Sequence, residues 1–185
     1  MDPETGLDAI RNVGIIGHRI VAISGKPMQG KRAIDAAGKI VAPGFIDIHN
    51  HSPTPLGLHY QAWDGVTTTL DLEAGTYPIS AYGNQIRGRA PINYGTSAGH
   101  VSARLEVMSD YSRPNGTDKM TKIGDSGKPV SRVFAAKANA EERAAMRRKL
   151  ETSLQDGAIG IGVPLDYVSA AVDSEELGML FALAA

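Results

Sequence analysis

From Pro43 onward, short apolar runs and helical patterns alternate four times, and this rhythm limits the possible folds more than any other feature of the chain. The runs are GFIDIHNH (44–51), VTTTLDLE (66–73), INYGTSAG (92–99) and AIGIGVPL (158–165). Each is short, apolar or β-branched, and bounded by turn formers, as a strand requires. The clearest helix is expected over about 140–156, where Asn139 and Glu142 stand at capping-box spacing and Gly157 follows as a stop. Met146, Leu150 and Leu154 supply its buried stripe at spacing four. A further helix is expected to start near Asp173, with Glu176 at the third position and Leu177, Leu180, Phe181 and Ala184 buried. Strands that alternate with helices lie parallel and connect by right-handed crossovers. The expected class is α/β: a partial (β/α)8 (TIM) barrel of about four βα units over residues 43–185.

Ahead of it, NVGIIGHRIVAI (12–23) and RAIDAAGKIVA (32–42) are β-rich with turn signals between them and no helical period. Residues 1–42 are therefore expected to form a small antiparallel β module. A closed barrel takes about 250 residues, and LFALAA (180–185) lies inside an amphipathic pattern without a cap. The expectation is a piece of a larger protein. Residues 105–137 show no clear period and many turn formers, which reads either as a lid or specificity loop or as a surface insertion.

Composition narrows the partners. A net charge of -1 offers no basic face, which argues against nucleic acid and anionic membranes. The chain has no cysteine, so neither disulfides nor thiolate metal sites are available to it. No apolar run approaches the roughly 20 residues of a membrane span. The acidic start MDPETGLDAI lacks the apolar core of a signal peptide. The expectation from these signs is a cytoplasmic protein.

The chemistry concentrates where the first strand ends. Strand side chains alternate, so Phe45, Asp47, His49 and His51 are expected on one face, with Ile46 and Ile48 on the other toward covering helices. Both imidazoles then emerge at the strand's carboxyl end, where barrel active sites lie. Two neutral imidazoles at this spacing can converge on one divalent ion at about 2.0–2.1 Å. An isolated His-x-His triplet is common without metal, but here it follows a Pro-Gly opening and an apolar alternation and precedes turn residues. On the second run, Thr69, Asp71 and Glu73 share a face. Glu73 lies nearest the mouth and would complete a set of two imidazoles and one carboxylate with His49 and His51. The alternative is a strand-end carboxylate that caps a helix or meets a substrate amine. Asp71 sits deeper and reads as a buried hydrogen-bond anchor.

VAPGFIDIHNHS (41–52) followed by GVTTTLDLEAG (65–75) resembles the amidohydrolase superfamily. DPETGLDAIRNVGI (2–15), INYGTSAGHVSAR (92–104) and GAIGIGVPLDYVSAAVDSEEL (157–177) make its N-acyl-D-amino-acid deacylase (D-aminoacylase) branch the most similar. The resemblance implies a metal-dependent barrel hydrolase flanked by a small β-sandwich, here incomplete over residues 1–42, usually holding one or two zinc ions and cleaving the amide bond of a small N-acyl amino acid. In that branch a cysteine often ligates metal near the second strand's turn; here Ala74 occupies the aligned position with Glu73 beside it. The resemblance also expects histidines from the fifth and sixth strands and an aspartate base from the eighth. No histidine follows His100. The catalytic base is thus unassigned, and the chain alone is expected to be inactive. The resemblance places His100 near the substrate pocket, although a helix-capping histidine fits equally. Arg104 is either a partner for a substrate carboxylate or an ordinary surface arginine. Tyr167 either donates to substrate or packs. His18 and His59 carry no partner signature.

Two other readings stay open. Cyclic-amide hydrolases (dihydroorotase-like or hydantoinase-like) and isoaspartyl dipeptidases commonly use a carboxylated lysine on the fourth strand, which AIGIGVPLDY lacks. A non-catalytic binding or assembly protein on the same scaffold would be metal-free. The exposed edges of a four-stranded sheet would favour homo-oligomers or aggregation.

Overall fold

The computed structural model describes residues 1–51, 54–84, 86–113 and 120–185. The chain divides into two units, Met1–Gly44 and Phe45–Ala185. In the first, β1 (Asn12–Ile16) and β2 (Arg19–Ser24) form one antiparallel hairpin. Gly17 turns it with φ +60°, the left-handed conformation a two-residue hairpin loop demands at its first position. The second β-rich run, 32–42, contains no strand, which corrects the expectation. A two-stranded ribbon has no facing sheet to cover it, and Ile15, Ile16 and Ile20 remain exposed.

The second unit is α/β, as the strand–helix rhythm predicts. Four parallel strands run in the order β3 (Phe45–Asp47), β4 (Val66–Thr76), β5 (Asn93–Gly99) and β8 (Ile161–Gly162). The order follows the chain without reversal, unlike a doubly wound sheet with its switch point. Helices α1 (Pro55–Trp63), α2 (His100–Met108), α4 (Ala140–Gln155) and α6 (Ser174–Ala184) accompany the strands, with short helices α3 (Ser131–Ala135) and α5 (Leu165–Val168) between. Among the described residues no helix is long and apolar enough to cross a membrane.

The core gathers Ala98, Ala103, Met108, Ala138, Met146, Leu150 and Leu180. Helix α4 starts as expected. The Asn139 side chain accepts from the Glu142 N–H at 2.9 Å, and the Glu142 carboxylate accepts from the Asn139 N–H at 3.1 Å. Met146 and Leu150 are fully buried, Leu154 only half so.

Three expectations need correction. In α6, Leu180 is buried and Leu177 half-buried, but Phe181 is 75% exposed and Ala184 is exposed too. The buried stripe runs instead through Glu176 and Leu180, one residue round the helix, because the Glu176 carboxylate enters the interior. Ile46 and Ile48 are exposed rather than covered, since β3 is an edge strand with β4 on one side only. The described residues of the aperiodic segment 105–137 carry more regular structure than its composition indicates. Its first residues complete α2, and β6 (Tyr111–Ser112) pairs antiparallel with β7 (Thr121–Lys122). Asp110 pins this pair, accepting from the Ser126 hydroxyl at 2.6 Å and the Lys128 N–H at 2.9 Å. Positions 114–119 of the expected lid lie outside the described residues.

Truncating Leu150 to alanine is expected to lower unfolding stability by about 2–5 kcal/mol in urea denaturation, the cost of a core cavity. Phe181→Ala is expected to change it by no more than about 0.5 kcal/mol.

Candidate metal centre

Strand β3 ends sooner than alternation implies, and a side chain takes over from the ladder. Asp47 accepts from the backbone N–H of His49 at 3.0 Å and from the Gln61 amide of α1 at 2.9 Å. This turn presents His49 and His51 beyond the strand end. The backbone stays tied to β4: His49 forms an isolated bridge with Asp71, and the Asn50 N–H donates to the Leu70 carbonyl at 3.2 Å.

The facing donors come from a distorted end of β4. Its register with β5 shifts between Asp71 and Thr76. Gly75 adopts φ +62°, and a Cβ there would lie 2.5 Å from Ser97 Oγ, 2.7 Å from Ser97 O and 2.9 Å from Gly99 N. Only glycine fits this left-handed, crowded position. Ser97 Oγ donates to the Leu72 carbonyl at 3.0 Å, and the Gly75 N–H donates to Asp71 Oδ1 at 3.1 Å. The segment that carries Glu73 is therefore fixed on both sides.

Three donor atoms meet there. His49 Nε2 lies 3.2 Å from His51 Nε2, Glu73 Oε2 lies 3.4 Å from His49 Nε2, and Glu73 Oε2 lies 3.0 Å from His51 Nε2. A tetrahedral ion with bonds of about 2.0–2.1 Å needs ligand atoms about 3.3 Å apart. The triangle matches that spacing, and it brings together atoms that are all lone-pair donors unless protons intervene. The chemistry of two imidazoles and one carboxylate suits zinc and related first-row divalent ions. The site is open: the His49 side chain is 64% exposed, that of His51 47% and that of Glu73 34%. Behind it, Asp71 Oδ1 stands 3.2 Å from His51 Nδ1 and is almost buried. Burial, then the Asp71 charge, pushes the Tyr82 hydroxyl up to about 12, so it stays a proton donor and binds the Gly95 carbonyl.

The other residues singled out by sequence lie elsewhere. His100 and Arg104, on α2, are fully buried and meet Glu176 of α6. His100 Nε2 is 2.6 Å from Glu176 Oε1, and Arg104 Nη1 donates to both carboxylate oxygens at 2.6 and 2.5 Å. Arg104 Nε and Nη2 donate to the carbonyls of Val133 and Ala136. Arg104 is thus no surface residue, and the carboxylate it meets belongs to this chain. Tyr167, on α5, is 69% exposed. His18 sits on the hairpin turn, and His59 Nδ1 lies 2.7 Å from the Pro55 carbonyl. Glu176 is the partner that sequence reading missed. Its position three residues after Asp173 reads as a cap, and Asp173 does accept from its N–H at 3.0 Å, but the carboxylate turns inward.

No protein-family model matches the chain. It is 29% identical over 205 residues to an N-acyl-D-glutamate deacylase of Alcaligenes xylosoxydans xylosoxydans, covering 94% of this chain and 37% of that protein. A dihydroorotase of Streptococcus pyogenes is 39% identical over 88 residues, which cover 43% of this chain and 21% of the relative. Among solved structures, a crystal structure of D-aminoacylase superposes with TM-score 0.68 at 25% identity, covering 93% of this chain and 38% of that one. An N-acyl-D-glutamate deacylase from Bordetella bronchiseptica, complexed with zinc and a phosphonate inhibitor, shares the fold with TM-score 0.66 at 24% identity, covering 94% of this chain and 38% of that one. The chain thus spans well under half the length of the proteins it matches.

Burial pushes the Glu176 carboxyl up, but the hydrogen bonds from His100 and Arg104 outweigh it and hold the group below its ordinary value. A carboxyl lowered by folding stabilises fully above its unfolded value, and the benefit drains away as pH falls below it, because the unfolded chain takes the proton first. Glu176→Gln is expected to cost about 3–5 kcal/mol at pH 7 by stranding the Arg104 charge. It is also expected to flatten the loss of stability below about pH 4.5. Chemical denaturation at a series of pH values checks both.

Proposed function

We propose that this D-aminoacylase-like amidohydrolase chain supplies the first metal ligands of a barrel hydrolase that cleaves the amide C–N bond of N-acyl amino acids. The observation that carries the reading is the triangle of His49 Nε2, His51 Nε2 and Glu73 Oε2, with edges of 3.0–3.4 Å. Three protein ligands with an exposed side leave a position open, which distinguishes a catalytic zinc site from a closed structural one. These three residues would hold a divalent ion, whose chemistry would be to acidify a water toward about 7 and to polarise the amide carbonyl. The chain's own contribution is to hold the donors in place: Asp47 and the β3–β4 bridge set the histidines, and the Gly75 bend sets Glu73. Glu73 stands next to Ala74, the position where the resemblance expects cysteine, so the proposed site is built from nitrogen and oxygen alone. One ion is proposed on this triangle; the resemblance implies that further ligands would come from later strands.

The sheet is read as an arc of four βα units from an eight-unit barrel. Phe45, Ile46 and Ile48 on its β3 edge are exposed, as suits an edge that a closing strand covers. Association of copies through the same edge is the second reading. The proposed division places the β module before residue 43 and the barrel arc after it. His100 and Arg104 already hold Glu176, so of the proposed substrate-contacting residues Tyr167 is the one left available at the end of the fourth strand. The short match to a dihydroorotase covers less than half of this chain, and the lack of lysine in 158–167 favours linear over cyclic amides. Proton transfer to the leaving amine needs a base from a later strand, so the chain alone is expected to bind its ion without turnover.

After dialysis against zinc, the 185-residue chain is expected to retain about one equivalent by elemental analysis. The double variant His49→Asn, His51→Asn is expected to retain none, with its fold unchanged by circular dichroism. Release of acid from N-acyl-D-amino acids by the chain alone would contradict the proposed incompleteness. Equal zinc in the double variant would contradict the site.

A further inference from the structure

Asp71 lies just behind the donor triangle and makes no part of it. Its side chain is 9% exposed, and its Oδ1 accepts from the Gly75 N–H, so the carboxylate cannot swing away without disrupting the bend. The same Oδ1 stands 3.2 Å from His51 Nδ1, while His51 Nε2 faces Glu73 Oε2 at 3.0 Å and His49 Nε2 at 3.2 Å. A neutral imidazole carries one proton, and its two placements are unequal here. On Nε2, the proton would occupy the space where the three donors meet, and the Nδ1 lone pair would face a nearly buried carboxylate oxygen. On Nδ1, it lies on the edge of the ring nearest that oxygen, 3.2 Å away, and the Nε2 lone pair is left free on the edge nearest Glu73 and His49.

We infer that Asp71 is a positioning residue: it accepts the Nδ1 proton of His51 and thereby turns the Nε2 lone pair toward the metal position. The inference deepens the metal reading and rests on it for its function, although the tautomer itself is a property of the metal-free chain. It also assigns different tasks to the two carboxylates of the Asp71-Leu72-Glu73 stretch. The outer one binds the ion, and the inner one fixes the ring that binds it. Carboxylates behind ligand histidines orient the ring and raise its basicity, and losing one typically weakens metal binding by about 10- to 100-fold.

The test uses the full chain, with zinc as the probe, and compares wild type, Asp71→Asn and Glu73→Gln. Long-range proton–nitrogen NMR of the zinc-free proteins reads the His51 tautomer directly. Wild type and Glu73→Gln are expected to carry the proton on Nδ1. Asp71→Asn keeps an oxygen for the Gly75 N–H, and it is expected to shift His51 toward the Nε2–H form and to weaken zinc about 10- to 100-fold. A merely structural role would leave the tautomer unmoved. A wild-type His51 protonated on Nε2, or an unchanged tautomer in a folded Asp71→Asn, overturns the inference. Should Asp71→Asn not fold, wild type and Glu73→Gln decide it alone. Failure of the wild type to take up zinc overturns the metal reading, not the tautomer assignment.

Discussion

The pairing register of β3 with β4 is the constraint on which the site depends. Asp47 stands opposite Thr69 in the parallel ladder, and the turn beyond it is tied back to β4 by an antiparallel bridge between His49 and Asp71. His51 is thereby held with its Nε2 3.0 Å from Glu73 Oε2. A slip of one residue would turn Leu72 toward the histidines and Glu73 to the opposite face, because side chains alternate along a strand. The bend at Gly75 and the Ser97 contacts hold this end of β4 to β5, so the register is fixed from both sides.

Among the described residues, two of the polar clusters differ in character. The one at the ends of β3 and β4 is open to solvent, and its three facing donor atoms lie 3.0–3.4 Å apart. The other, Arg104 with His100 and Glu176, is sealed, and its charges neutralise one another within the protein. A sealed ion pair is a poor place for substrate. It does, however, join α2 to α6 across a long stretch of sequence and orients α6 about its own axis. The exposed Phe181 and the inward Glu176 are two aspects of that rotation.

Much of this was legible in the sequence for local reasons. A capping box, a glycine stop and a stripe at spacing four are properties of neighbouring residues, and α4 forms where they place it. The four strands begin near the runs that announce them. The two histidines and Glu73 lie at strand ends, so their approach could be anticipated once the strands were taken as adjacent and parallel. The means of approach could not: the Asp47 side chain replaces ladder bonds after a three-residue strand, and no alternation pattern encodes that. Glu176 escaped notice because a glutamate at the third position of a helix has an adequate local explanation. Its buried role depends on Arg104, 72 residues away. The run 32–42 failed as a strand for the converse reason, since β-rich composition needs a partner surface and none is formed within the first unit.

Zinc-edge X-ray absorption of the zinc-loaded chain addresses the central claim most directly, because it reads the ligands themselves. Light-atom ligands at about 2.0–2.1 Å, with the outer-shell scattering of two imidazole rings, are expected. A spectrum without imidazole scattering, or with that of a single ring, would contradict a centre built on His49 and His51.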